Sequence, residues 1–253
     1  MIILGDYHTH TKYSRHNHGR GTILENASAA AEKGLKQIAI TDHGFNHMLY
    51  GVKRKEMPGI REEILTAREV AGVDILLGVE ANLISLNGDI DLREEDYEYL
   101  DIVLMGHHKL VKYASKSDKY KLGLANLLEG PFAPSKERIN RNTTAFLKAL
   151  DKQPIDIITH LNYGCPTDTL PVAKMAKQKG VLVELNGKRI CFTDKEIEIM
   201  ISEGVKFIIN SDAHSPERVG EVNNAINLAF KLGIPPSQIV NLDKLPKFTK
   251  KRN

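Results

Sequence analysis

The 253-residue chain has no tryptophan, only two cysteines and 6% aromatic residues. Sparse aromatics leave few platforms on which single-stranded nucleic acid could stack. Cys165 and Cys191 stand apart, without CxxC spacing, which argues against a disulfide framework or a thiolate metal site and reads as two unremarkable thiols. No apolar run approaches the roughly 20 residues of a membrane helix, so a soluble protein is expected. The start, Met1-Ile2-Ile3-Leu4-Gly5-Asp6, lacks the basic and long apolar segments of a secretory leader, and a cytoplasmic location is the default expectation. Charge of one sign is also missing: Lys+Arg 35 against Asp+Glu 32 leaves only +3, too balanced to suggest a nucleic-acid binder. The basic excess gathers at 247–252 and reads as a solvated tail. No Pro/Gly/Ser-rich linker, low-complexity stretch or repeat divides the chain. One domain over 1–245 with a basic tail over 246–253 is therefore expected.

What is present is an alternation. Short apolar, β-branched runs at 2–6, 37–41, 75–80, 101–105, 155–159, 181–185 and 206–210 suit buried parallel strands. Between them lie helical segments with recognisable starts. Thr22-Ile23-Leu24-Glu25 is a capping-box pattern opening a helix that Gly34 closes, and Thr193-Asp194-Lys195-Glu196 repeats it before Gly204. Ser215-Pro216 predicts a further helix, with Val222, Ala225, Ile226 and Ala229 on its buried face. Helices are also predicted over 60–70, 136–150 and 169–178. About seven strand–helix alternations imply an α/β protein with a parallel sheet, and periodicity alone leaves an open doubly wound sheet and a closed barrel both possible. The connection 108–134 is the expected lid or substrate loop.

The ten histidines decide the chemistry. All fall at or just beyond the C-terminal ends of the predicted strands: His8, His10, His16 and His18 after the first, His43 and His47 after the second, His107 and His108 after the fourth, His160 after the fifth, His214 after the seventh. Glu80 and Asp212 keep the same register. In parallel α/β folds ligands bind at this edge. Residues two apart on a strand share a face, so His8 converges with His10, and Asp212 with His214. Imidazole and carboxylate suit Zn²⁺, Mn²⁺ or Fe²⁺. Asp6 shares that parity one step deeper and is expected to orient an imidazole; the alternative is a buried capping or salt-bridged aspartate. At about four or five ligands per ion these groups suffice for two or three ions. Three divalent ions less two carboxylates leave roughly +4, which calls for an anionic substrate such as a phosphate ester. Bridged metals lower the pKa of bound water toward about 7, so no serine or cysteine nucleophile is needed.

Asp6-Tyr7-His8-Thr9-His10, Thr41-Asp42-His43, Gly78-Val79-Glu80, Gly106-His107-His108, Thr159-His160 and Asn210-Ser211-Asp212-Ala213-His214, in this order, resemble the polymerase and histidinol phosphatase (PHP) superfamily. The resemblance spans nearly the whole chain and implies a distorted (β/α)₇ TIM-like barrel with a trinuclear metal centre, often zinc, and phosphoesterase activity. It implies that His8, His10 and Asp212 hold one ion, that Glu80 bridges it to a second held by His108 and His160, and that His16, His43 and His214 hold the third. Of the adjacent pair His107-His108, His108 is taken as the ligand and His107 as a pocket wall. The segment 78–92, with Glu80-Ala81-Asn82 and Asn87-Gly88-Asp89-Ile90-Asp91, looks like the small bacterial PHP phosphatases, with histidinol phosphate one possible substrate.

Arg189 and Arg218 are expected to grip phosphate oxygens, with Lys188 a weaker candidate and Arg20 and Lys109 weaker still. Gly19-Arg20-Gly21 lacks the strand and further glycine of a phosphate-binding fingerprint. The leading expectation is a phosphomonoesterase in which a metal-bound hydroxide attacks phosphorus, with Glu80 and Asp212 acting through the metals, on a small phosphorylated substrate. The alternatives are a phosphodiesterase or exonuclease on nucleic acid, for which charge and aromatics are unfavourable, and a non-catalytic metal-binding module. An amidohydrolase is a minor fourth, since no metal-bridging lysine sits at a strand end.

Overall fold

A computed structural model describes residues 2–127 and 134–248. Seven strands form one parallel sheet in chain order: β1 Gly5–Thr9, β2 Gln37–Ile40, β3 Asp74–Asn82, β4 Ile102–Gly106, β5 Ile157–Ile158, β6 Leu182–Asn186 and β7 Phe207–Asn210. The last returns to the first. Thr9 and Ala213 form a parallel bridge, and His10 N–H donates to the Ala213 carbonyl at 2.8 Å. The sheet is thereby a nearly closed seven-stranded barrel, which decides between the two architectures left open by the alternation. Each strand stands within three residues of its expected position, with β1 beginning at Gly5 rather than at residue 2.

The helices form where the capping chemistry places them. The Thr22 hydroxyl accepts from Glu25 N–H and the Glu25 carboxylate accepts from Thr22 N–H, opening helix Ile23–Glu32; Thr193 and Glu196 do the same for helix Asp194–Glu203. Helices Met57–Ala71, Lys136–Lys152 and Thr169–Lys179 cover the predicted segments. Ser215-Pro216 differs: it starts only a 3₁₀ turn, Pro216–Arg218, and the helix begins at Asn223. Gly220, at φ +71°, breaks the chain between them. No helix among the described residues is long and apolar enough to cross a membrane.

Two apolar regions result. The larger lies between barrel and helices and includes Ile38, Ile64, Val103, Phe146 and Val183. The smaller fills the lower barrel with Tyr7, Ala39, Ile102, Leu104, Ile157 and Ile208. Phe248 packs against its base, 5.1 Å from Tyr7 between ring centres, so that part of the presumed solvated tail is a plug; 249–253 lie outside the described residues. With the bottom sealed by carbon, the polar strand ends face the opposite mouth.

Candidate metal centre

β1 carries one more residue than β2 between Asp6 and Thr9: Asp6 pairs with Ile38, and Thr9 with Ile40. This bulge breaks strict alternation and re-aims the chain. Tyr7 lies in the lower barrel, whereas His8 meets Glu80 and His10 meets Asp212 above it. Asp6 therefore does not share their face. Its carboxylate accepts from Ser211 N–H and hydroxyl, Gly220 N–H and His8 N–H, pinning the β7 exit loop instead of orienting an imidazole ring. The buried-cap alternative is the one found.

Glu80, fully buried near the end of β3, is the hub. Its Oε1 lies 2.7 Å from His160 Nε2, 3.1 Å from His108 Nε2 and 3.3 Å from His8 Nε2; its Oε2 lies 2.9 Å from His43 Nδ1 and 3.7 Å from His10 Nε2. Asp212 Oδ1 is 3.3 Å from His214 Nδ1, 3.5 Å from His10 Nε2 and 3.8 Å from His8 Nε2. Three overlapping groups bring their donor atoms within 4.8 Å of one another: His8–His10–Asp212, His10–His43–His214 and His43–Glu80–His108. His160 (φ +28°) and Asp212 (φ +53°) sit in backbone regions that non-glycine residues seldom occupy, a concentration of strain at one place. Gly106 makes room beneath: a Cβ there would lie 2.5 Å from Thr159 Oγ1 and 2.9 Å from His160 Cε1.

The cluster fits cations on its own chemistry. His8 Nε2, His10 Nε2 and His43 Nε2 are buried without a well-formed hydrogen bond, and His43 Nδ1 and Glu80 Oε2, 2.9 Å apart, have only each other. A buried polar atom without a good hydrogen bond costs about 1–3 kcal/mol, so the crowded imidazoles form a set of donors suited to an acceptor of lone pairs. Burial keeps His10 well below the ordinary imidazole range and holds His43 and His214 to about 3, so their lone pairs are free at neutral pH. Burial also opposes protonation of His8, but the carboxylates of Glu184, Glu80 and Asp212 outweigh it and raise this imidazole. Burial acts to raise Glu80 as well, yet the surrounding His108 and His8 hold it well below the carboxylate range.

Behind the cluster stands a layer that fixes ring orientation. Glu184 Oε1 receives His8 Nδ1 at 2.8 Å, Asn82 Oδ1 receives His108 Nδ1 at 2.8 Å, and Ser14 Oγ lies 3.2 Å from His10 Nδ1 while donating to Asp42 at 2.6 Å. Such partners select the tautomer that presents the other nitrogen. Glu184 is absent from the residues singled out by sequence. Its signal was a carboxylate inside the apolar run Val181-Leu182-Val183-Glu184-Leu185.

Position distinguishes four further sets of sequence-predicted residues. His16 is exposed on a left-handed turn (φ +56°) and does not line the cavity; His18 does, with its Nε2 3.1 Å from His214 Nε2 and its ring stacked on Tyr50 at 3.8 Å. His108 Nε2 lies 3.1 Å from Glu80 Oε1, and the adjacent His107 has its Nε2 3.3 Å from the Tyr113 hydroxyl. Arg189 lines the cavity of about 210 Å³ over the cluster, its guanidinium 4.4 Å from the Tyr163 ring. Arg218 does not line it and instead pairs with Glu221 at 2.9 Å, half exposed. Lys188, the weaker candidate from sequence, takes its place, with Nζ 3.1 Å from His214 Nδ1 and 3.8 Å from Asp212 Oδ1.

A near-closed parallel barrel that gathers imidazoles and buried carboxylates at its strand-end mouth is the class of protein this fold and site define. The sequence profile of the PHP domain matches residues 6–186, and the chain belongs to that family. It is 32% identical over its full length to 93% of a probable phosphatase of Caldanaerobacter subterraneus subsp. tengcongensis, and 31% identical over its full length to 96% of a probable phosphatase of Thermoanaerobacter sp. strain X514. The fold resembles the crystal structure of histidinol phosphate phosphatase from Lactococcus lactis subsp. lactis complexed with zinc, L-histidinol and phosphate. The TM-score is 0.64 at 14% identity, covering 93% of this chain and 95% of that one.

Proposed function

We propose that the protein is a metal-dependent phosphomonoesterase that holds three divalent ions, zinc foremost with manganese or iron as substitutes, and hydrolyses a small phosphorylated metabolite. The observation that carries this reading is the hub: one buried carboxylate, Glu80, within 4 Å of five imidazoles, several of whose ring nitrogens are buried without a well-formed hydrogen bond. The phosphatase names of relatives near 31% identity over the whole chain support the same chemistry.

His8, His10 and Asp212 would hold one ion; Glu80, His108 and His160 a second, with His43 close by; His43, His214 and the neighbouring His10 the third, with His18 in the place expected of His16. Divalent ions bound there supply charge for the phosphate oxygens and lower the pKa of water at the site. The chain does the rest. Lys188 and Arg189, which line the cavity together with Asp212, would bind the peripheral phosphate oxygens, Arg189 braced by the Tyr163 face. Lys109, which also lines the cavity, adds a third cation. Glu184, Asn82 and Ser14 hold the imidazoles in register.

The test is substitution of the hub. Glu80→Ala and Asp212→Ala proteins, purified alongside the parent, are expected to lose both bound metal and phosphate release. A Glu80→Ala protein with full turnover would sink the bridging assignment.

A further inference from the structure

Next to the cavity over the metal cluster lies a second one, of about 130 Å³, lined by Met48, Leu110, Val111, Tyr120 and Leu124, with Lys109 and Lys119 as its charged members and no carboxylate. The two cavities are continuous at Lys109 and Leu110, which line both. We infer that this groove holds the alcohol portion of the substrate, and that the substrate is a phosphate monoester whose alcohol carries an apolar chain or ring instead of a polyol. The inference rests on the phosphomonoesterase reading.

Main-chain bonds shape the groove. Loops after β2 and β4 are joined by backbone hydrogen bonds, Met48 N–H to the Leu110 carbonyl at 2.9 Å and Lys112 N–H to the Asn46 carbonyl at 3.0 Å, with an antiparallel bridge between His47 and Val111. This clasp holds Met48 and Leu110 at the shared lip, both nearly half exposed, and Leu110 does so at φ +59°, a conformation a leucine resists. The opposite wall is the π-helical turn Lys119–Leu124. Gly123 lets it approach: a Cβ there would fall 2.5 Å from the Tyr113 ring. The Tyr113 hydroxyl in turn donates to the His108 carbonyl at 3.4 Å and lies 3.3 Å from His107 Nε2, so the groove wall is tied to the turn that carries a metal-facing imidazole.

The lining chemistry selects the occupant. A sugar or polyol would set most of its hydroxyls against Leu, Met and Val, with the lysines and tyrosines as its few polar partners. An apolar group gains from burial, and the volume is close to the roughly 150 Å³ in which an apolar cavity takes up benzene. Lysines at the lip and no carboxylate match an anionic head with a carbon tail.

The experiment uses the metal-loaded protein and the series methyl, ethyl, propyl and butyl phosphate for kcat/KM, with the matching alkylphosphonates, which have no ester bond to cleave, for Kd by calorimetry. Both quantities are expected to improve by up to about fourfold per methylene. Leu124→Ser and Tyr120→Ser, both at exposed positions that tolerate exchange, are expected to collapse the butyl-to-methyl ratio toward one. A flat series in the parent protein overturns the inference, as does a rising series that both variants preserve. If no ester is hydrolysed while phosphonate affinity climbs with length and the variants abolish the climb, the groove stands and the phosphatase reading falls.

Discussion

Replacing Glu184 by glutamine tests the architecture of the site at a residue that touches neither cavity. The two side chains have nearly the same shape, so packing is held constant. Glu184 is fully buried and accepts four hydrogen bonds: His8 Nδ1 at 2.8 Å and Asn210 Nδ2 at 3.0 Å on Oε1, His160 N–H at 2.9 Å and Asn186 Nδ2 at 2.9 Å on Oε2. A glutamine has one acceptor oxygen. Whichever way its amide lies, an NH₂ faces two donors, and two buried hydrogen bonds are lost. At a minimum of about 1 kcal/mol each, the metal-free fold loses about 2 kcal/mol, which for a chain of this length lowers Tm by about 4–8 °C. If the amide nitrogen turns toward His8, the ring also loses the acceptor that fixes its tautomer, and removing such a partner typically weakens metal affinity 10- to 100-fold. The assays are thermal unfolding of chelated protein and metal content by mass spectrometry after dialysis against graded free zinc. A variant with parental Tm and parental zinc retention would refute the assignment of Glu184 as the residue that orients His8.

Other outcomes follow from the same geometry. His18→Ala is expected to lower bound metal and turnover, while His16→Ala, exposed on its turn, leaves both unchanged; the reverse pattern would restore the sequence-based choice. Arg189→Ala should raise KM for a phosphomonoester by about tenfold, the scale of one charge-assisted contact, whereas Arg218→Ala, paired with Glu221 outside the cavity, should leave KM within error. Burial pushes the Cys191 thiol up to about 11 and encloses Cys165, so thiolate at pH 8 is about one part in a thousand for Cys191. Iodoacetamide should then label neither in the folded protein, and rapid labelling before unfolding would contradict the structure around them.

Much of this was legible in residues. Thr22 with Glu25 and Thr193 with Glu196 announced two helices by local chemistry, and local chemistry built them. Histidines gathered at the ends of several strands identified the mouth, because parallel strands place all their C-terminal ends together. What could not be read depends on geometry without period. The bulge in β1 adds one residue and moves Asp6 to the other face, which no parity argument foresees. His16 and His18 are two apart in a loop, and only the left-handed turn at His16 and Asn17 decides which ring comes inward. Ser215-Pro216 carries a helix-start pattern that Gly220 cuts short. Glu184 was visible as a charge in an apolar strand, and its role appears only when β6 is placed beside His8 and His160.

If the buried donors at the barrel mouth hold metal for phosphate ester hydrolysis, turnover follows the ion. The measurement that addresses it most directly is phosphate release from a panel of monoesters, including p-nitrophenyl phosphate and histidinol phosphate, made on protein as purified, after chelation, and after return of zinc or manganese. The account predicts release that vanishes on chelation and returns with the ion. Release undiminished by complete removal of metal, or none from any monoester by fully loaded protein, would contradict it.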